Sequence, residues 1–322
     1  EAQDNLGIAK VELYYTRNVE PESGAFPLLE TEPGRYSLSF PLPVENIAVG
    51  DQFSYRLLAL DAAGQPNAAQ SGPHTFAVVE AKGVVLVLED APPATVDIKR
   101  DLSQKGGPYL PPESGKSSAS SFVTWLVADN YLVDVIPADQ VDGEDLTGYD
   151  VLLLASGSNT SPVADAGLRS TLQDWVGAGG KLLVEGGELG YDALSTPGYP
   201  DFAEEVLHAA YWDSDNGGDL IRPASQTGHP LLNLPHVLPS QFDVAYSGYG
   251  DQDAVEPTAD SYVVMVPANH QADAGILIYD DNPAPQSAQI VFFAFNIEAL
   301  TPAQKHLVRK GPENARRVQE KL

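Results

Sequence analysis

Residues Gly186-Gly187-Glu188-Leu189-Gly190 spell G-x-E-x-G directly after a short apolar run, Leu182-Leu183-Val184. G-x-nucleophile-x-G is the form of a sharp strand-to-helix turn that lifts a reactive Ser or Cys above a sheet. Glu188 holds that place here, and the chain contains no Cys. Thiol chemistry is thereby excluded. A carboxylate at such a turn leaves acid–base work or cation binding. Other polar residues end apolar runs in the same way: Glu89 and Asp90 after 83–88, Ser156, Ser158 and Asn159 after 151–155, and Glu185 just before the turn. In an open α/β sheet, ligands sit beyond the carboxyl ends of the strands. Glu89, Asp90, Ser156, Ser158, Asn159 and Glu188 are therefore the candidate ligand-binding set. Glu188, Glu185 and His229, which precedes Pro230 in a later loop, are the catalytic candidates. The plain alternative is that this edge carries only the polar loop residues any such sheet needs.

A second pattern lies in Asp213-Ser214-Asp215-Asn216-Gly217-Gly218-Asp219. Asp213, Asp215 and Asp219 have the spacing of a calcium loop, although Ala224 stands where an EF-hand needs Glu. Calcium is the one cofactor this sequence raises, with a solvated acidic turn as the alternative. Gly115-Lys116-Ser117 ends like a phosphate loop, but Leu110 occupies the place of the required first glycine, so no nucleotide is expected.

These residues need elements to position them. Tyr149–Ala155 and Lys181–Glu185 read as buried strands joined by a helix, Asp165–Val176, which makes a βαβ unit. Residues 83–90 (GVVLVLED), a helix over Ser120–Asn130 and a strand at Leu132–Ile136 extend the alternation into a doubly wound, mostly parallel sheet. Further along, the pattern predicts a helix over Phe202–Tyr211 and strands at Tyr262–Val266, Ile276–Tyr279 and Ile290–Phe295. A helix follows over Thr301–Arg309, then a basic helix or tail at 311–322. The Pro-, Gly- and Ser-rich stretch 91–118 reads as a lid over the strand ends or a loose connection. Residues 1–81 differ: period-two strands at Ile8–Thr16, Tyr36–Phe40, Phe53–Leu60 and His74–Val79 predict an all-β sandwich. The switch near Glu80–Gly83 sets the domains as 1–81, 82–310 and a tail at 311–322.

The chain carries 45 acidic and 18 basic residues, a net charge of −27. Such a surface repels nucleic-acid phosphates and anionic lipid, so neither is an expected partner. No apolar run is long enough to span a membrane as a helix.

Two resemblances add to this reading. DNLGIAKVELYY, GDQFSYRLLALDAAGQPN and HTFAVV resemble the immunoglobulin-like or fibronectin-type modules of secreted bacterial proteins. GVVLVLED, FVTWLVADN, LTGYDVLLLASG, LRSTLQDWVGAGGKLLVEGG, TGHPLLN and QIVFFAFNIEAL resemble the class I glutamine-amidotransferase-like, flavodoxin-like fold, and within it the ThuA-like domains. That likeness implies the fold but argues against the amidotransferase reaction, because Glu188 replaces the nucleophile and the family's late His-x-Glu pair is missing. It implies a secreted or cell-surface bacterial protein in which this segment is a non-catalytic accessory region, used for spacing, adhesion or substrate presentation beside a catalytic domain such as a peptidase. Its partners would be the parent's other domains and a carbohydrate or cell-surface polymer. The rivals are a ThuA-like hydrolase or sugar-modifying enzyme working through the carboxylates, and a calcium-stabilised structural module.

Overall fold

The computed structural model describes residues 7–63, 66–90, 118–226, 230–233, 237–245, 248, 250–280, 289–301 and 304. Residues 91–117 of the stretch read as a lid, the phosphate-loop mimic, His229, nearly all of the helix expected at Thr301–Arg309 and the tail 311–322 lie outside them. The chain divides into two compact units, Glu1–Ala81 and Lys82–Leu322.

In the first unit, β1 (Ile8–Arg17), β2 (Phe26–Pro27), β5 (Gln52–Asp61) and β6 (Ala68–Ala77) form an antiparallel sheet in the order β2-β1-β5-β6. β3 (Leu29–Glu32) and β4 (Arg35–Ser37) make a separate hairpin. Phe53, 1% exposed, is the centre of a ring cluster with Tyr15, Phe40 and Phe76 at centroid distances of 5.0–6.0 Å. Such offset and edge-on rings bury large apolar areas and hold the thin unit together. Arg17 and Asn18 both donate to Asp51, pinning the end of β1 to the start of β5. The six strands give one four-stranded sheet and a hairpin; the finer immunoglobulin-like assignment rests on the sequence resemblance.

The second unit is a nine-stranded mixed sheet with helices. Its parallel half contains β7 (Val84–Glu89), β8 (Leu132–Pro137), β9 (Val151–Gly157), β10 (Lys181–Gly186) and β17 (Ile290–Phe293) in the order β8-β7-β9-β10-β17. The sheet continues from β17 through β16 (Ile276–Tyr279), β15 (Tyr262–Pro267), β12 (Leu220–Ile221) and β13 (Gln241–Phe242), every pair antiparallel. The expected mostly parallel sheet is thus parallel over half its width. The change comes after β10, where no helix-bearing crossover of the kind that joins β9 to β10 separates β15 (Tyr262–Pro267) from β16 (Ile276–Tyr279), so the chain reverses between them.

Both faces of the parallel half are covered, which explains the uninterrupted apolar runs. Val85, Val87, Leu153, Leu183 and Phe293 pack on one face against Phe122 and Leu126 of α1 (Ser118–Ala128). Leu86, Leu88, Leu152, Leu154, Leu182 and Val184 pack on the other against Leu168 and Leu172 of α2 (Ala166–Gly177). Asp165 caps α2 by accepting from Leu168 N at 2.7 Å. The turn into β10 needs Gly180, because a Cβ there would lie 2.3 Å from the Trp175 ring.

The helix expected over Phe202–Tyr211 is only partly present. A helical turn at Pro200–Phe202 runs into a wider turn at Ala203–Leu207, and β11 (Ala209–Ser214) follows, paired with β14 (Ala254–Pro257). His208 sits in the left-handed region with φ 49° and ψ 41°, which ends the helix and turns Tyr211 into a strand. β4 is also shorter than the predicted Tyr36–Phe40.

Candidate functional site

The G-x-E-x-G segment is a strand-to-helix turn, running from β10 into a short α3 (Leu189–Leu194). Gly187 N donates to Gly157 O at 3.0 Å, so the turn is stitched to the end of β9. Its glycines allow close approach of chain rather than of ligand. A Cβ on Gly187 would lie 2.2 Å from Gly250 O, and one on Gly186 would lie 2.9 Å from the Ser156 Cβ. The chain's own segment around Gly250 therefore covers the turn.

Glu188 is 0% exposed, and its Oε1 accepts from Gly250 N at 2.9 Å. Glu188 stands at the N-cap of α3, but its side chain makes no capping bond there. Asp253 does that work from a distant loop. Its Oδ2 accepts from Gly190 N at 2.8 Å and Tyr191 N at 3.1 Å, and its Oδ1 accepts from Trp212 Nε1 at 2.7 Å. Burial, and then the nearby Glu188, push the Asp253 carboxyl well above its ordinary range.

Two further carboxyls at the strand ends are shifted. Glu185, 0% exposed, lies on the β10 face of Leu183; its Oε1 accepts from Ile297 N at 2.7 Å and its Oε2 from Gly157 N at 3.2 Å. Burial pushes it up to about 7. Asp90 follows β7, with its N donating to Ala155 O at 3.1 Å and its Oδ1 accepting from Asn159 Nδ2 at 2.8 Å. Burial raises it to about 7 against the pull of Ser156 and Asn159.

The structure thus joins Asp90, Ser156 and Asn159 in one group. Ser158 lies under Gly250, where an added Cβ would come within 2.8 Å of Ser158 O. Glu185 belongs to a separate group with Gly157 and Ile297. Glu89 is half-buried at the end of β7. The sequence reading missed Asp253, together with Asp192, 0% exposed, whose Oδ2 accepts from Val163 N at 3.0 Å. Carboxyls with raised pKa hold protons near neutral pH, as acid catalysts do. Yet Glu185, Glu188, Asp192 and Asp253 are all fully buried and aimed at backbone N–H groups. Their chemistry in this conformation is to hold loops together.

The acidic loop does not gather its three aspartates. Asp219 accepts from Gln241 Nε2 at 3.0 Å and Val244 N at 3.2 Å. Asp215 is buried. Among the described residues, the group of close metal-type donors is Asp213, His270 and Asp273. Asp213 lies within β11, whereas Asp215 and Asp219 follow its end.

No protein-family model and no curated protein matches the chain. Among solved structures it is similar to a ThuA-like protein from Bacteroides uniformis, with 12% identity, a TM-score of 0.46, and coverage of 77% of this chain and 95% of that one. It is also similar to a glutamine amidotransferase from Methylobacillus flagellatus, with 13% identity, a TM-score of 0.36, and coverage of 72% and 74%.

Proposed function

We propose that residues 82–322 form a non-catalytic module whose elbow has become a structural joint, serving as an accessory segment of a secreted or cell-surface multidomain protein, with residues 1–81 as an immunoglobulin-like companion. One observation supports this above the others: the residue at the nucleophile position, Glu188, is 0% exposed and is held by Gly250 N under the chain's own loop. A working nucleophile or acid must reach a substrate. The job left to such a module is to space or present neighbouring domains, and its acidic surface suits contact with neutral or cationic polymers. The test is turnover. Incubation with glutamine, simple amides and aryl glycosides is expected to release nothing above the blank. Turnover that disappears in Glu188→Gln would overturn the proposal.

A second reading has its own observation. Asp90 combines a carboxyl raised to about 7 with a half-buried position at the strand ends, as a general acid would. Hydrolysis lost in Asp90→Asn, but kept in Glu188→Gln, would establish a carboxylate-based hydrolase instead.

A further inference from the structure

We propose that Asp213, His270 and Asp273 form a binding site for a divalent transition-metal ion of the zinc class. Asp213 lies on β11. His270 and Asp273 lie three residues apart in the turn joining β15 to β16. His270 Nδ1 is 2.7 Å from Asp213 Oδ2 and 3.5 Å from Asp273 Oδ2, and one ligand atom from each residue falls within 4.8 Å of the others. Four-coordinate zinc with bonds of ~2.1 Å needs donors about 3.4 Å apart, and the observed separations bracket that spacing.

Backbone bonds hold the turn in place from both sides. Ala274 N donates to Val255 O on β14, the partner of β11, at 2.7 Å. On the other side Ala268 N donates to Asp219 O at 2.7 Å and Asn269 N to Gly217 O at 2.8 Å. The two donor-bearing segments are therefore fixed against each other before any ion binds, which lowers the ordering cost of binding.

The charge balance points the same way. Asp273 is only 8% exposed and faces Asp213, with Glu256 adding further negative charge. Both carboxyls turn to the same ring nitrogen, His270 Nδ1, which hydrogen-bonds Asp213 at 2.7 Å and stands 3.5 Å from Asp273. A doubly charged ion would satisfy both and leave His270 neutral as a ligand. The donor set selects the metal: imidazole with two carboxylates suits zinc and its neighbours, whereas calcium takes oxygen alone. Asp213 and His270 keep 47% and 29% of their side chains exposed, so the remaining coordination positions open to water.

The experiment is calorimetric titration of the EDTA-stripped 322-residue chain with zinc chloride at pH 7.5, beside Asp213→Asn and His270→Gln. Both substitutions alter partly exposed side chains, and circular dichroism verifies that each variant is folded. The expected result is one saturable equivalent bound at least tenfold more tightly than in either variant. Zinc should also raise the melting temperature of the parent chain alone, and millimolar calcium should not displace it. The absence of saturable binding, equal binding by both variants, or displacement by calcium would overturn the proposal.

Discussion

Glu185→Gln isolates what a buried carboxyl costs this fold. Glu185 is 0% exposed, and burial raises its pKa from an ordinary 4.5 to about 7. Below pH 4.5 the group is protonated in both folded and unfolded chain. Between 4.5 and 7 the folded chain keeps a proton that the unfolded chain releases, so stability falls as pH rises, and above 7 the loss is complete. At ~1.36 kcal/mol per pH unit, the shift amounts to about 3 kcal/mol. Gln cannot ionise, and its one oxygen keeps the bond from Ile297 N while the bond from Gly157 N is lost. The variant should therefore lie about 1 kcal/mol below the parent at pH 5, and the difference should move in its favour by about 2 kcal/mol between pH 5 and pH 8. Asp90 and Asp253 titrate in both proteins, so their effects cancel in the comparison. Urea unfolding followed by tryptophan fluorescence is the assay. Trp125, Trp175 and Trp212 all lie in the second unit, so the signal reports that unit without interference from residues 1–81. Parallel pH dependence of parent and variant would refute the reasoning.

Other outcomes follow from the same contacts. Asp253→Ala strands three N–H donors at 2.7–3.1 Å and should lower stability by about 3 kcal/mol in chemical denaturation; a loss below about 1 kcal/mol would mean that α3 does not depend on this cap. Glu188→Gln keeps an oxygen for Gly250 N and removes a charge facing Asp253, so stability at pH 8 should rise by about 1 kcal/mol; a clear fall would show that the charge itself is stabilising. The net charge of −27 should make the melting temperature climb between 0.1 and 1 M sodium chloride, as the Debye length shrinks from roughly 10 to 3 Å; a flat or falling curve counts against self-repulsion as a significant term.

The parallel half of the sheet was legible in the sequence because its signal is local. VVLVLE and KLLVEG are apolar runs closed by polar residues, and Asp165 announces the helix between β9 and β10. The excursion between β10 and β17 was not legible. Its strands are two to six residues long, and AEEVLHAAY carries helical spacing that the backbone of His208 overrides. The elbow itself could be read from its glycines, but not what covers it. Asp253 acts on Gly190 across 63 positions, and Gly250 on Glu188 across 62, where no spacing rule applies. The one available signal was a polar cluster, Asp251-Gln252-Asp253, set against the apolar-flanked Ala254-Val255, which is unusual for residues that turn out buried. His270 could be weighed only for a His-x-Glu pair, which Ala272 rules out, and its grouping with Asp213 was not legible because Asp213 lies on another element.

The position of β17 has a kinetic consequence. β10 stands in the middle of the sheet, but one of its two neighbours is the last strand of the described chain, with Leu182 opposite Ile290. Until that late strand arrives, one margin of β10 has no backbone partner, and closing so long a loop is entropically slow. The segment between them must organise into its antiparallel strands first, or at the same time. A polypeptide stopped before Ile290 would carry β10 as a bare, apolar sheet margin, a template for pairing between molecules. Assembly of this unit is therefore gated by its late strand β17, and refolding should be slow and concentration-sensitive in a way that the β5-β6 hairpin, paired between neighbours in sequence, is not.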